Sequence, residues 1–366
     1  MLKRIKEKLL LKKKSTPPFS RDMEIIGVFN PAAVRYKDEV ILLARVVHAS
    51  TKLDKEKYCC LRSYRGDDEK VRFEEFWANK AGSEDHYSVV DEDGYARLKF
   101  ISHLEIVRLS KDGYELKSIK KHEQLFGLEE YEEWGIEDPR ITKIDDIFYI
   151  TYVAVSRKMG IVTCLMRTRD FQDFERLGII FPASNKDVVI FPEQKKGKYL
   201  ALHRPTLAMK TRNYAILGAS STDLIHWGAH EFVMECSSDK KHFDSLRLGA
   251  GCPPIKTEKG WLHIFHGVMA VDKERPNPGL YQGGAFITSF EKPFQVTLRC
   301  EEPVLRVEKD YEKSGYVDRV VFPTGVVRDL ENPDHLHIYY GCADENIAVV
   351  TLSVTEIMET CKPVLL

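Results

Sequence analysis

The apolar positions of this chain return to one short pattern, a Gly/Asp/Lys turn followed by a stretch in which aliphatic and aromatic residues alternate. The copies are Lys37-Asp38-Glu39 before residues 40–47, Asp145-Asp146 before 147–153, Lys196-Gly197-Lys198 before 199–203, Glu258-Lys259-Gly260 before 261–268, and Pro333-Asp334 before 335–340. Period-two alternation bounded by turn residues predicts half-buried β-strands. A second, weaker pattern sets a small polar turn against an aromatic residue or Leu: Ser110-Lys111-Asp112-Gly113-Tyr114, Thr168-Arg169-Asp170-Phe171 and Ser221-Thr222-Asp223-Leu224-Ile225-His226-Trp227. Looser equivalents stand at Ser289-Phe290-Glu291-Lys292-Pro293 and Val354-Thr355-Glu356. Many short strands at repeated spacing argue against βαβ units and for a closed array of small sheets. Five copies predict an all-β fold, a five-bladed β-propeller, with a β-sandwich or two stacked barrels as the competing arrangement.

Helical periodicity is nearly confined to the start of the chain. Leu2, Ile5 and Leu9 recur at helical spacing among seven basic side chains in residues 1–14, which predicts a short amphipathic N-terminal helix docked on this subunit or a neighbour, and hence a homo-oligomer. The apolar run Leu9-Leu10-Leu11 is too short for a signal peptide or a membrane span. The chain therefore divides into a basic extension over residues 1–20 and a single catalytic propeller over residues 21–366. The interval between the first two repeats is the longest. Residues 48–100 hold a polar insertion, with Arg65-Gly66-Asp67-Asp68-Glu69-Lys70 and Ser83-Glu84-Asp85-His86, expected to leave the first blade over one face and roof a site.

Composition narrows the partners. A formal net charge of -1, with 43% hydrophobic and 30% charged residues, gives no overall pull toward nucleic acid or membrane, so any basic site is local. Eight cysteines without a C-x-x-C pair or a His at zinc-ligand spacing predict reduced thiols in a cytoplasmic protein, with no metal. Nothing in the sequence calls for an organic cofactor.

The densest chemistry lies at Trp134-Gly135-Ile136-Glu137-Asp138-Pro139-Arg140, which runs straight into the strand at 147–153. By itself this is either a salt-bridged turn or an acid held on a rigid scaffold. A propeller gathers the strand ends of all blades around one axis, so polar residues at those ends converge. They are Asn30 and Arg45, then Glu137, Asp138 and Arg140, then Lys186, His203 and Arg204, then Arg247 and His266, and last Asp344. Each has a plainer alternative: Arg45 a structural ion pair, Lys186 an exposed loop charge, His203 a satisfied core histidine, Asp344 the start of a turn. Two or more cations around a cavity suit a phosphate, and a carboxyl beside a sugar suits glycosidic cleavage. Where phosphate replaces water as nucleophile, the second carboxylate that activates water is not needed.

Eight ordered motifs give the chain a wider resemblance. They are Phe29-Asn30-Pro31-Ala32, Leu42-Leu43-Ala44-Arg45-Val46, Gly135-Ile136-Glu137-Asp138-Pro139-Arg140-Ile141, Asn185-Lys186-Asp187 with Phe191-Pro192-Glu193, Leu202-His203-Arg204-Pro205, Gly249-Ala250-Gly251, Gly260-Trp261-Leu262 with His266-Gly267-Val268, and Tyr339-Tyr340-Gly341-Cys342-Ala343-Asp344. The chain resembles, from about Asn30 to Leu352, the inverting mannoside phosphorylases and related mannosidases of glycoside hydrolase family 130, which are five-bladed propellers. The resemblance implies that Asp138 is the general acid, acting through a sugar hydroxyl, and that Asn30, Arg45 and Asp344, with Arg140, bind the sugar. It implies inorganic phosphate as co-substrate among Lys186, His203, Arg204, Arg247 and His266, and α-mannose 1-phosphate as product. Ile101-Ser102-His103-Leu104 and the insertion before it look like the branch acting on β-1,2-linked manno-oligosaccharides. The alternatives are a β-mannosidase using water, a β-1,4-mannosyl-glucose phosphorylase and a non-catalytic carbohydrate-binding propeller. Acceptor specificity is expected in the 48–100 excursion and near residues 270–284.

Overall fold

Each of the five repeated stretches is the second strand of an antiparallel sheet, and the five sheets are the blades of a propeller. The computed structural model describes residues 2–52, 54, 57–66, 71–79, 87–90, 94–206, 213–271 and 279–364, and for 79 and 120–124 the backbone alone. The charged runs at 67–70 and 83–86 and the Asn277-Pro278 loop fall outside the described residues.

The first blade holds Met23–Tyr36, Glu39–Ser50, Ile101–Leu109 and Leu116–Leu125. The second holds Ile136–Ile144, Ile147–Ser156, Gly160–Thr168 and Glu175–Phe181. The third is Asn185–Ile190, Tyr199–Pro205, Ala215–Ser221 and Gly228–Glu235. The fourth is Arg247–Ala250, Trp261–Ala270, Gly279–Thr288 and Val296–Cys300. The fifth takes Val321–Arg328, His335–Cys342 and Asn346–Ser353, and completes itself with Lys6–Leu11 from the other end of the chain. The first strands of neighbouring blades pack on one another around the axis.

The second sequence pattern also has a structural meaning. In each blade the third strand ends on, or is followed directly by, a hydroxyl residue whose Oγ accepts from backbone N–H groups beyond it: Ser110 from Glu115, Thr168 from Asp170 and Phe171, Ser221 from Asp223 and Leu224, Ser289 from Glu291 and Lys292, Ser353 from Glu356. Such side-chain acceptors compete with the ladder and stop the strand at a turn.

The expected N-terminal helix is not there. Residues 6–11 form a strand, paired from Lys6 opposite Thr351 to Leu11 opposite Ile347. The physical reason is the open edge of Asn346–Ser353, a nearly fully buried strand whose outer backbone groups need partners. Six residues are too few to hold a helix against that demand. Lys6 and Lys8 reach Asp112 and Glu115, and Arg4 reaches Glu312, so three of the basic side chains of this segment pair within the chain. At the other end Cys361–Pro363 adds to the fourth strand of the fourth blade.

The insertion leaves the first blade between its second and third strands as two hairpins, Lys57–Arg65 with Val71–Asn79 and Ser88–Val90 with Ala96–Leu98.

Candidate functional site

The site begins with a local fault repeated in three innermost strands. Their ladders skip two residues: Asn30-Pro31 in the first blade, Asp138-Pro139 in the second, Asp187-Val188 in the third. In each case the first skipped residue has left-handed backbone, with φ of 48° at Asn30, 46° at Asp138 and 56° at Asp187. Asn and Asp tolerate that region better than other side-chain-bearing residues, and a bulge re-aims the side chain it carries. Asp344, at φ 49°, lies in the turn just past the second strand of the fifth blade in the same conformation.

The result is an axial cavity of about 620 Å³. Its centre is Arg45, whose Nη1 donates to Asp138 Oδ1 at 2.9 Å while Nη2 meets Glu137 Oε1 at 2.8 Å and Nε donates to Ser102 Oγ at 3.1 Å. The Phe29 ring lies 4.9 Å from the guanidinium. Asn30 Nδ2 donates to Asp138 Oδ1 at 2.9 Å. Burial works to raise the Asp138 carboxyl, but Arg45, Arg140, Lys186 and the Asn30 hydrogen bond outweigh it and hold the group below the usual Asp range. Asp344 faces the same cavity and behaves oppositely. Burial, reinforced by the charges of Asp138 and Glu137 and only partly offset by Arg45, pushes it up to about 7.

The third and fourth blades bring further cations to the cavity. Lys186 sits with Nζ 3.9 Å from Glu137 Oε2. Arg204 Nε donates to Asp187 Oδ2 at 2.7 Å, and His266 Nε2 lies 3.8 Å from the same oxygen. Burial and the neighbouring arginines, only partly offset by Asp187, lower His266 to about 3, so its ring is neutral at pH 7. Arg247 donates to the Tyr281 hydroxyl and lies against that ring. Gly249 makes the cluster possible, since a Cβ there would come within 2.2 Å of Asp187 Oδ2 and 2.6 Å of the His266 ring.

Nine of the eleven residues singled out from sequence thus line one cavity: Asn30, Arg45, Glu137, Asp138 and Asp344, and with them Lys186, Arg204, Arg247 and His266. The other two are not on its wall. His203 precedes Arg204 in an extended strand, so it faces the other way; its ring bonds to Asn185 and His230 and stacks on Phe181. Arg140 lies beneath the floor, 2% exposed, donating to the carbonyls of Gly251, Asp138 and Pro139 and 3.8 Å from Asp187. Sequence reasoning passed over Asp187, which anchors Arg204, and left Glu137 without a role. Aligning the three bulged strands, Asn30 with Asp138 with Asp187, would have found the first. The insertion does reach the site: Tyr87, Leu98 and Phe100 stand on its wall.

Fold and geometry together define a five-bladed propeller enzyme with acids and cations facing across an axial pocket. The family profile described as beta-1,4-mannooligosaccharide phosphorylase matches residues 93–363. A beta-1,2-mannobiose phosphorylase of Listeria innocua is 36% identical over 97% of both chains. A 1,2-beta-oligomannan phosphorylase of Thermoanaerobacter is 36% identical over 71% of this chain and 81% of the relative. The solved structure of the Listeria innocua beta-1,2-mannobiose phosphorylase with beta-1,2-mannobiose superposes with a TM-score of 0.83 at 34% identity, covering 96% of each chain. The chain belongs to glycoside hydrolase family 130.

Proposed function

We propose that this protein is an inverting phosphorylase of β-1,2-linked manno-oligosaccharides, transferring the terminal mannosyl unit to inorganic phosphate to give α-mannose 1-phosphate and a shortened chain. The observation that carries the reading is that Lys186, Arg204 and Arg247 share one cavity with Asp138. Water needs a carboxylate to activate it, whereas phosphate needs positive charge and donors. The β-1,2 linkage is supported by the two relatives at 36% identity.

In this reading Asn30, Arg45 and Asp344 hold the mannosyl unit and Asp138 supplies the proton through a sugar hydroxyl. Phosphate sits among Lys186, Arg204 and Arg247, with neutral His266 as a hydrogen-bonding partner. Arg140 beneath the floor and Asp187 on the wall are positioning residues. The C1–oxygen bond to the leaving sugar breaks as the phosphate oxygen bonds to C1 from the opposite face. The proton given up by the phosphate balances the one taken by the leaving oxygen. Phosphate also prepares the acid: its negative charge beside Lys186 offsets a cation that keeps Asp138 ionised, and so favours the protonated form. The eight cysteines are all unpaired and buried, which supports a cytoplasmic setting.

Incubation with β-1,2-mannobiose, with and without inorganic phosphate, tests the assignment. Mannose 1-phosphate is expected only with phosphate. Free mannose released equally in both tubes would make water the nucleophile and refute it.

A further inference from the structure

A second depression, of about 1120 Å³, lies beside the axial cavity and shares Tyr95 and Arg157 with it. One wall is the insertion of the first blade, with Arg62, Tyr64 and Arg65 on one hairpin and Tyr95 and Arg97 at the other. The facing wall is the entry to the second blade, Leu128 to Glu133, together with the 156–160 turn. The two walls together carry five basic and four acidic side chains. They are cross-linked: Arg62 to Glu133 at 3.4 Å, Arg65 to Glu129 at 3.3 Å, Arg157 to Glu133 at 2.8 Å and Lys158 to Glu130 at 2.6 Å. Tyr64 and Tyr95 nevertheless stay 43% and 63% exposed.

An anionic polymer would call for a surplus of cations. A balanced set of donors and acceptors beside partly exposed tyrosines suits a neutral polyhydroxylated chain. The position agrees, because the groove joins the axial cavity at Tyr95 and Arg157, contributed by the first-blade insertion and the second blade, whereas Lys186, Arg204 and Arg247 come from the third and fourth blades.

We propose that this groove is a distal binding site for the acceptor end of longer neutral oligomannosides. It rests on the phosphorylase reading and adds that chain length is recognised outside the axial cavity.

The test measures mannose 1-phosphate release from β-1,2-mannobiose and from a chain of several mannosyl units. The wild-type protein is expected to favour the longer chain in kcat/KM by about tenfold, which corresponds to about 1.4 kcal/mol. Tyr64→Ala and Arg65→Ala bring the ratio of the two substrates toward one, and Tyr64→Phe, which keeps the ring, restores it. A ratio near one in the wild type, with product formed from both substrates, overturns the groove and leaves the phosphorylase standing. An unchanged ratio in both alanine variants does the same. If no substrate yields mannose 1-phosphate, the phosphorylase reading is what fails. Calorimetric binding of the intact chain to wild type and Tyr64→Ala then decides the groove, equal affinities ruling it out.

Discussion

Glu132 at the rim of the second blade and Asp344 at the axis are both carboxylates enclosed by protein, and they are answered in opposite ways. Glu132, fully buried, accepts from the backbone N–H of Leu128 at 2.7 Å and of Glu129 at 3.1 Å, from the Tyr152 hydroxyl at 2.7 Å and from Arg176 Nε at 3.0 Å. The fifth blade repeats the device with Glu312, which accepts from the backbone of Glu308 and Lys309, from the Tyr340 hydroxyl and from Arg4. In both blades the acid lies on the segment entering the blade, the tyrosine on the second strand, and the arginine on or just before the outermost strand. Asp344 has no side-chain hydrogen bond or ion pair among the described residues, and it lines the cavity. Arg45 is already divided between Glu137 and Asp138. A saturated buried charge ties a blade together; an unsaturated one beside a cavity is left for a ligand.

Asp138→Asn is the sharpest way to break that contrast. It keeps the shape of the side chain and its contact with Asn30 but removes the proton carrier. Phosphorolysis is expected to fall by about 10³-fold, within the range for loss of a general acid, while mannoside binding measured by calorimetry persists. An unchanged rate would return Asp138 to the role of a salt-bridged turn.

The rim gives the next largest effect, on stability rather than rate. Glu132→Ala strands Arg176 and the Tyr152 hydroxyl, and losing one partner of a buried ion pair costs about 3–5 kcal/mol. Thermal unfolding should show a clear drop in Tm, with the rate per folded molecule at room temperature changed far less than by Asp138→Asn. A rate loss as large as that of Asp138→Asn would mean that the rim clamp and the axis are one unit.

The same contrast marks how far the sequence could be read. The five second strands stand out because alternation and turn chemistry are local signals, and the hydroxyl turns after the third strands are equally local. The axial residues were visible as polar positions at strand ends, but their direction was not. His203 and Arg204 are neighbours facing opposite sides, and Arg140 passes under the floor because the Asp138-Pro139 bulge shifts the register. The rim clamps left no trace, since Glu132 and Arg176 are 44 positions apart and Arg4 and Glu312 are 308 apart. The N-terminal strand was misread for a related reason: its conformation is set by the open edge of a strand more than 300 positions away.

Asp344→Asn gives the smallest effect and reads the axial imbalance directly. With its carboxyl pushed up to about 7 from an ordinary 3.8, the folded protein holds a proton that the unfolded chain has already released between those values. More protons bound in the folded state means that stability falls as pH rises through this window, fully present below about 4 and lost by the time pH passes 7. Asn carries no such charge. The Tm of Asp344→Asn should therefore match wild type near pH 4 and exceed it increasingly toward pH 8, by the equivalent of about 1–2 kcal/mol once the site relaxes around the anion. Melts of both proteins across that range measure the difference, and a difference that stays constant with pH would mean Asp344 is ionised throughout. Ligand sharpens the test, because an Asp344 that donates its proton to a sugar hydroxyl should hold it more tightly when mannoside is bound. The pH at which wild type and the Asn variant diverge then moves higher in the complex, since the groups common to both proteins cancel in the difference.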